Sequence, residues 1–246
     1  MPLPFSRTKI QQLGERLATG TDSEEDRQVL EELVACHQTT LESGRPRLDG
    51  LEVAAGTSPL VISGRPKTTT TIIEKLQRED GMSLPRMQDL AGFRIVGAIS
   101  LAGQDRLAEE IVLRFPADPR SPKLIDRRAD PRSGYRALHV VTCLDGVSIE
   151  VQVRTLYQHV WADMMEYLAD RLGRQIRYGQ PPIPPEGVSQ RQADLIVEAM
   201  MRLSAGFAER EAQGEHGNWL VTNLAQDLEE TREMLLDELR KTGIDL

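Results

Sequence analysis

At 246 residues, 39% of them hydrophobic and 28% charged, the chain can bury one large core or two small ones. A formal net charge of −8 argues against a surface that coats nucleic acid throughout, while a local basic site stays open because salt confines surface fields to about 8–10 Å. Cys36 and Cys143 are too few for a disulfide framework or a Cys-rich zinc site, and no apolar run makes a secretion signal or the roughly 20 residues of a bilayer span. The expectation is a soluble protein of the reducing cytoplasm.

In chain order, Ser6 is placed to cap a helix carrying Ile10, Leu13 and Leu17. Thr21 or Asp22 opens a second helix, with Glu24, Glu25 and Asp26 at its positive end and Val29, Leu30, Leu33 and Val34 on one side. SGRPRLDG (43–50) reads as a break. Ile72, Ile73 and Leu76 predict a helix that starts after the threonine run 68–71. LAGFRIVGAI (90–99) has the β-branched, apolar character of a buried strand, and 103–115 returns to helical spacing through Leu107, Ile111 and Val112.

KLIDRR (123–128) is a candidate short strand and ALHVVTCL (137–144) a long one. The Asp-Gly pair in LDGV (144–147) signals a hairpin into SIEVQVRT (148–155), where Ile149, Val151 and Val153 oppose Ser148, Glu150, Gln152 and Arg154. A helix over about 156–172 follows, and QPPIPPEG (180–187) breaks the chain. Helical patterns then run over about 189–213 and 218–241, the second with Leu220, Leu224, Leu228, Leu235 and Leu239. The pattern predicts an α+β fold: a mixed sheet of about five strands flanked by helices, with N-terminal helices in 1–50, a core in 51–180 and C-terminal helices in 181–246.

The polar face of SIEVQVRT is wet on an ordinary two-layer sheet, but other residues give it a second reading. Asp89 stands just before a strand, and Asp89 with Glu150 would make a carboxylate pair suited to Mg²⁺ if their strands are neighbours. Lys67 and Lys75 offer ammonium groups for a triphosphate, and Arg65 and Arg94 offer planar guanidinium groups that stack on a base or bind phosphate. Tyr135 presents an aromatic face, with His139 four residues on.

GRPKTTTTIIEKL (64–76), DLAGFRI (89–95), GYRALH (134–139), EVQVRT (150–155) and WA (161–162) stand in the order seen in the RelA/SpoT alarmone synthetase domain, which the chain resembles over roughly 60–170. The resemblance implies a nucleotidyltransferase-like synthetase fold. It also implies magnesium-dependent transfer of the pyrophosphate of ATP to the ribose 3′-hydroxyl of GDP or GTP. By the same resemblance Arg65 and Arg94 sandwich adenine, Lys67 and Lys75 bind phosphates, Asp89 holds magnesium, and Glu150 is the second carboxylate and a proton acceptor. Tyr135 matches the tyrosine that stacks on the acceptor guanine, and His139 and Gln152 match substrate contacts. Arg154 either holds phosphate or braces its strand. Thr71 matches a small hydroxyl that contacts phosphate or caps the helix; for the run as a whole capping is the preferred reading, with Thr68, Thr69 and Thr70 keeping the backbone extended. Trp161 reads as core packing, and Glu166 as either a partner for an arginine or a solvated carboxylate.

The early EED (24–26) is not the HD…ED pattern of the family's hydrolase, and the expectation is a small, single-domain synthetase. The acceptor is less defined. Arg114, Arg120, Lys123, Arg127, Arg128, Arg132 and Arg136 outnumber Asp118, Asp126 and Asp130 around Tyr135. This basic stretch, Arg127 and Arg128 in particular, is a candidate to hold the 5′-phosphates of GDP or GTP or a tRNA backbone, or else forms surface ion pairs. Toxin-type relatives act on the tRNA 3′-CCA end or on adenine nucleotides, and DRRADPRSGYRALHVV leans toward them; guanine-nucleotide transfer remains the leading expectation. A degenerate nucleotide-sensing or antitoxin-binding module would be marked by loss of Asp89 or Glu150, and both are present. The C-terminal leucines suit packing, a homo-oligomer or an antitoxin partner.

Overall fold

The computed structural model describes residues 3–51, 59–79, 81–115 and 121–216. The first helix, α1 (Arg7–Thr19), is capped by Ser6, whose side chain accepts from the Lys9 N–H, and it ends at Gly20 in the left-handed conformation. The second, α2 (Glu24–Gly44), opens neither at Thr21 nor at Asp22. Ser23 is its N-cap, because Asp26 three residues on completes a reciprocal capping box with it. The expected break at 43–50 is a 3₁₀ turn at Arg45–Arg47 with proline in its first positions.

Strand β1 (Val61–Pro66) then leads into helix α3 (Thr69–Arg78), which begins inside the threonine run rather than after it. Thr68 is the N-cap, and Thr71 folds back so that its hydroxyl donates to the Thr68 carbonyl at 2.9 Å. Thr69 and Thr70 are therefore helical, not extended. Their entropic cost is offset by a strongly one-sided apolar stripe in which Ile72 and Leu76 are buried.

Next come β2 (Ala91–Gly97), α4 (Leu101–Arg114), β3 (Lys123–Asp126), β4 (Leu138–Leu144) and β5 (Val147–Thr155). The β4–β5 hairpin turns through Asp145 and Gly146, both at positive φ, as the Asp-Gly signal requires. Helix α5 (Leu156–Leu172) starts at a Thr155–Gln158 capping box, and α6 (Gln190–Ala212) at a Ser189–Gln192 box. The leucine-rich pattern at 218–241 and Arg120 lie outside the described residues.

The five strands form one mixed sheet in the order β1-β2-β5-β4-β3. Only β2 and β5 pair in parallel; the other neighbours are antiparallel. Phe93, Ile95, Val140, Val151 and Val153 turn to one face, where they form the main core with residues of α2 and α4. A second core joins α5 to α6, and a third joins α1, α2 and α3. Among the described residues, no helix is long and apolar enough to cross a membrane.

The register puts the polar residues in rows on the opposite face. Arg65, Gly92 and Glu150 align across β1, β2 and β5, and Ser63, Arg94, Gln152 and His139 align in the next row across β1, β2, β5 and β4. Residues paired in register share a face. The alternation along β5 is thus the device that brings a polar floor together over an apolar core.

Candidate active site

That floor opens into a cleft of about 760 Å³, bounded by β1, the start of α3, β2, β5 and one side of α5. Its size is that of a small-molecule site, although its lining is unusually polar for one. Gly92 lies in the row between Arg65 and Glu150, so no side chain fills the centre of the floor.

Asp89 is held by both lysines. Lys67 Nζ donates to Oδ2 at 2.6 Å, and Lys75 Nζ lies 3.1 Å from each carboxylate oxygen. Lys67 follows β1, with its N–H on the Leu90 carbonyl, and Lys75 projects from α3 one turn beyond Thr71. Burial alone would raise the Asp89 pKa, but the two ammonium groups outweigh it and hold the carboxyl below its ordinary value. The group is ionised at neutral pH with an excess of positive charge around it.

Glu150 belongs to a second network. His139 Nδ1 lies 2.8 Å from its Oε1, and Gln152 Nε2 donates to its Oε2 at 3.0 Å. The other ring nitrogen of His139 is 3.1 Å from the Tyr135 hydroxyl. Burial works upward on Glu150, the bond to His139 works downward and prevails, and the nearby Asp89 charge opposes it. Asp89 and Glu150 therefore line one cleft and feel one another's charge.

Arg154 braces this network. Its Nη2 donates to Gln152 Oε1 at 2.8 Å and to the Tyr135 hydroxyl at 3.1 Å, and its guanidinium carbon stands 5.1 Å from the Tyr135 ring centre. The side-chain Nε atoms of Arg154 and Arg94 are buried without a hydrogen-bond partner, both in residues lining the cleft. Burial, then the Arg154 charge, lowers the Arg94 pKa.

Most of the expected residues converge here: Arg65, Lys67, Thr71, Asp89, Arg94, Glu150, Gln152 and Arg154 line the cleft, with Lys75, Tyr135 and His139 bonded to them. Arg127 and Arg128 do not line it. Arg127 approaches Asp130 at 3.9 Å, and Arg128 is clamped by Asp105 at 2.6 Å and Asp126 at 2.7 Å. Arg114 is tied to Glu110 and to the carbonyls of Arg47, Asp49 and Gly50.

Trp161 packs in the core as expected, with Nε1 donating to the Met200 carbonyl at 2.7 Å. Glu166 does take an arginine partner, Arg177 at 3.3 Å. Sequence reasoning missed the side wall that Glu166 belongs to. Asp163, Glu166 and Asp170 recur at three- and four-residue spacing along α5, and Arg174 and Arg177 follow on a 3₁₀ turn at Arg174–Tyr178. Only the spacing of the acids was available as a signal, and it resembles any solvated helix face. Arg174 also grips Glu74 of α3 at 2.7 and 2.9 Å, joining the two sides of the mouth.

His159 lies buried on α5. Burial and then the charges of Arg154 and Arg94 push its pKa down to about 3.

Residues 64–169 match the region found in RelA / SpoT proteins. Over 214 residues the chain is 36% identical to uncharacterized proteins of Mycobacterium tuberculosis and Mycobacterium bovis, an alignment that spans 87% of this chain and 77% of each relative. The fold is shared with the crystal structure of the small alarmone synthetase 1 from Bacillus subtilis, at a TM-score of 0.51 and 24% identity over 75% of this chain and 96% of that one.

Proposed function

This chain belongs to the RelA/SpoT family, and on that footing we propose that it transfers the pyrophosphate of ATP to the ribose 3′-hydroxyl of GDP or GTP. The observation that carries the reading is the pair of adjoining networks in one cleft: Lys67 and Lys75 on Asp89, and His139 and Gln152 on Glu150. One supplies cations for a polyphosphate; the other supplies a positioned carboxylate for a hydroxyl.

In this reading adenine lies between Arg65 and Arg94, whose guanidinium planes suit stacking. Lys67 and Lys75 exchange the Asp89 carboxylate for phosphate oxygens and stabilise charge on the transferred group. Tyr135 carries the acceptor base, and Glu150 takes the proton of the 3′-hydroxyl as its oxygen bonds to the β-phosphorus. The bond from that phosphorus to the α-bridging oxygen breaks, and AMP leaves. His139 holds Glu150 in place through Nδ1, so its other nitrogen faces Tyr135.

The donor set fits magnesium. Two carboxylates, Asp89 just before β2 and Glu150 on the neighbouring β5, close enough to feel each other's charge, are the oxygen ligands this ion takes alongside substrate phosphates. Asp89 and Glu150 would hold it, and it would supply Lewis-acid neutralisation of the phosphates.

A tRNA acceptor is the second reading, and the basic stretch before Tyr135 is its support. Arg114, Arg128 and Arg136 of that stretch are engaged within the protein. Among the described residues, Lys123 and Arg132 carry no carboxylate partner. The internal engagement of Arg114, Arg128 and Arg136 supports a nucleotide over an RNA backbone. The deciding experiment incubates the protein with magnesium, ATP labelled in its terminal phosphate, and separately GDP, GTP, ATP or deacylated tRNA. Label on GDP or GTP supports the proposal; label on tRNA alone replaces it.

A further inference from the structure

Tyr135 stands on a turn that is also gripped from outside the segment matched to RelA/SpoT proteins. Ser133 and Gly134 both have positive φ, 48° and 82°, the same succession as Asp145 and Gly146 in the β4–β5 hairpin, and Arg132 and Tyr135 bridge across them. Gly134 is required twice over, since a Cβ there would meet Trp161 Cζ2 at 2.6 Å in addition to the backbone strain. The Tyr135 N–H closes the turn on the Arg132 carbonyl at 2.9 Å.

The tether is Ser204, on α6 and only 4% exposed. Its hydroxyl donates to the Gly134 carbonyl at 2.6 Å and accepts from Arg136 Nε at 3.3 Å. One side chain thus grips the residues on either side of Tyr135. Arg136 also donates to the Arg128 carbonyl, which extends the grip toward the ion-paired Arg128. The α6 helix cannot slide freely, because Trp161 holds the Met200 carbonyl one turn before Ser204.

We propose that Ser204 is a positioning residue for the acceptor: its hydroxyl sets the backbone from which the Tyr135 ring projects, and so the plane on which the acceptor base stacks. The proposal rests on the pyrophosphate-transfer reading. Arg154 and His139 restrain the ring at its hydroxyl, 3.1 Å from each. Ser204 restrains it at its root, and a ring held only at its tip pivots. A ring free to pivot presents its face to the acceptor base in fewer productive orientations.

The test uses the full chain with Ser204→Ala and Ser204→Thr, assayed with ATP and whichever acceptor the wild type labels. The Ala variant is expected to raise the acceptor KM about fivefold, the worth of one ordinary hydrogen bond, with the ATP KM held within about twofold. Hydrogen exchange is expected to quicken at the amides of the 132–136 turn, and the Thr variant, which keeps the hydroxyl, to restore both measurements. An active wild type whose Ala variant shows an unmoved acceptor KM, or an ATP KM that rises in step with it, overturns the role of Ser204 alone. A wild type that labels none of GDP, GTP, ATP and tRNA overturns the transfer reaction, and the acceptor role of the turn with it.

Discussion

Lys67 and Asp89 meet at 2.6 Å, and Lys75 shares the same carboxylate, so one anion carries two cations at the mouth of the cleft. The lysines neutralise the carboxylate, and in the proposed reaction the phosphates of ATP take its place as their partners. Asp89→Asn separates these roles. Nucleotide binding without magnesium is expected to stay at least as tight as in the wild type, because the lysines lose their internal competitor. Pyrophosphate transfer is expected to fall by about a hundredfold or more, the scale of removing a key electrostatic group. Equilibrium binding of a fluorescent ATP analogue and a labelled-ATP transfer assay check the two arms; near-normal turnover would remove Asp89 from the mechanism.

Glu150→Gln tests the other network. The amide keeps the hydrogen-bonding shape but neither accepts a proton nor offers a metal an anionic oxygen. Transfer is expected to drop about a hundredfold or more, with the melting temperature little changed. Chelation with EDTA should silence the wild type to the same level, and added magnesium should restore the wild type but not the variant. Activity that survives EDTA would exclude the carboxylate pair as a metal site.

Tyr135→Ala is expected to raise the KM of the acceptor about tenfold while leaving that of ATP nearly unchanged, since base–aromatic stacking is worth about 1–3 kcal/mol. Tyr135→Phe keeps the ring and loses only the bonds to His139 and Arg154, so its acceptor KM should lie close to wild type. Equal losses for both substrates in the Ala variant would count against stacking.

Arg128→Ala is expected to act on stability. The guanidinium bonds to Asp105, Asp126 and the Gln104 side chain and is only 18% exposed, whereas its carboxylate partners are half in solvent. Losing charge-assisted bonds of that kind costs about 1–2 kcal/mol. Urea unfolding should show that loss, with the acceptor KM within about twofold of wild type. A large rise in acceptor KM at unchanged stability would return Arg128 to a substrate-binding role.

The fold was legible wherever local chemistry decided it. The Asp-Gly hairpin, the alternation of β5 and the helix over 156–172 all appear where spacing places them. The capping role expected of the threonine run is filled by Thr68, but residue pattern started α3 too late, because Thr69 and Thr70 read as extended until Ile72 and Leu76 are given a core to enter. It also failed to identify β1, whose VISGRP is short, mostly exposed and held by pairing with β2. Around the cleft, Asp89, Glu150 and the lysines were singled out in the sequence by their chemistry and by motif order. Asp163, Arg174 and Arg177 were not, since charged residues on a helix and its trailing turn become a cleft wall only when the sheet faces them.

His159 supplies a test of the buried wall that needs no substrate. In the folded protein its pKa is pushed down to about 3 by burial and by Arg154 and Arg94; unfolded, it returns to about 6.5. Between those values the unfolded chain binds a proton that the native one refuses, so stability rises with pH across the window and is lost as pH falls through it. From pH 7 to pH 5 that loss is about 2 kcal/mol for this one group. Asp89 and Glu150, with lowered pKa values, lose their contribution only at more acidic pH, and Glu211, raised by burial, acts in the opposite sense. His37 is lowered by burial too, so the informative quantity is the difference between wild type and a His159→Gln variant, in which His37 is common to both. Urea unfolding at pH 7 and pH 5 should show the variant less pH-sensitive than the wild type by about 2 kcal/mol. Identical pH dependence in the two proteins would mean that His159 is not held neutral beside the two arginines.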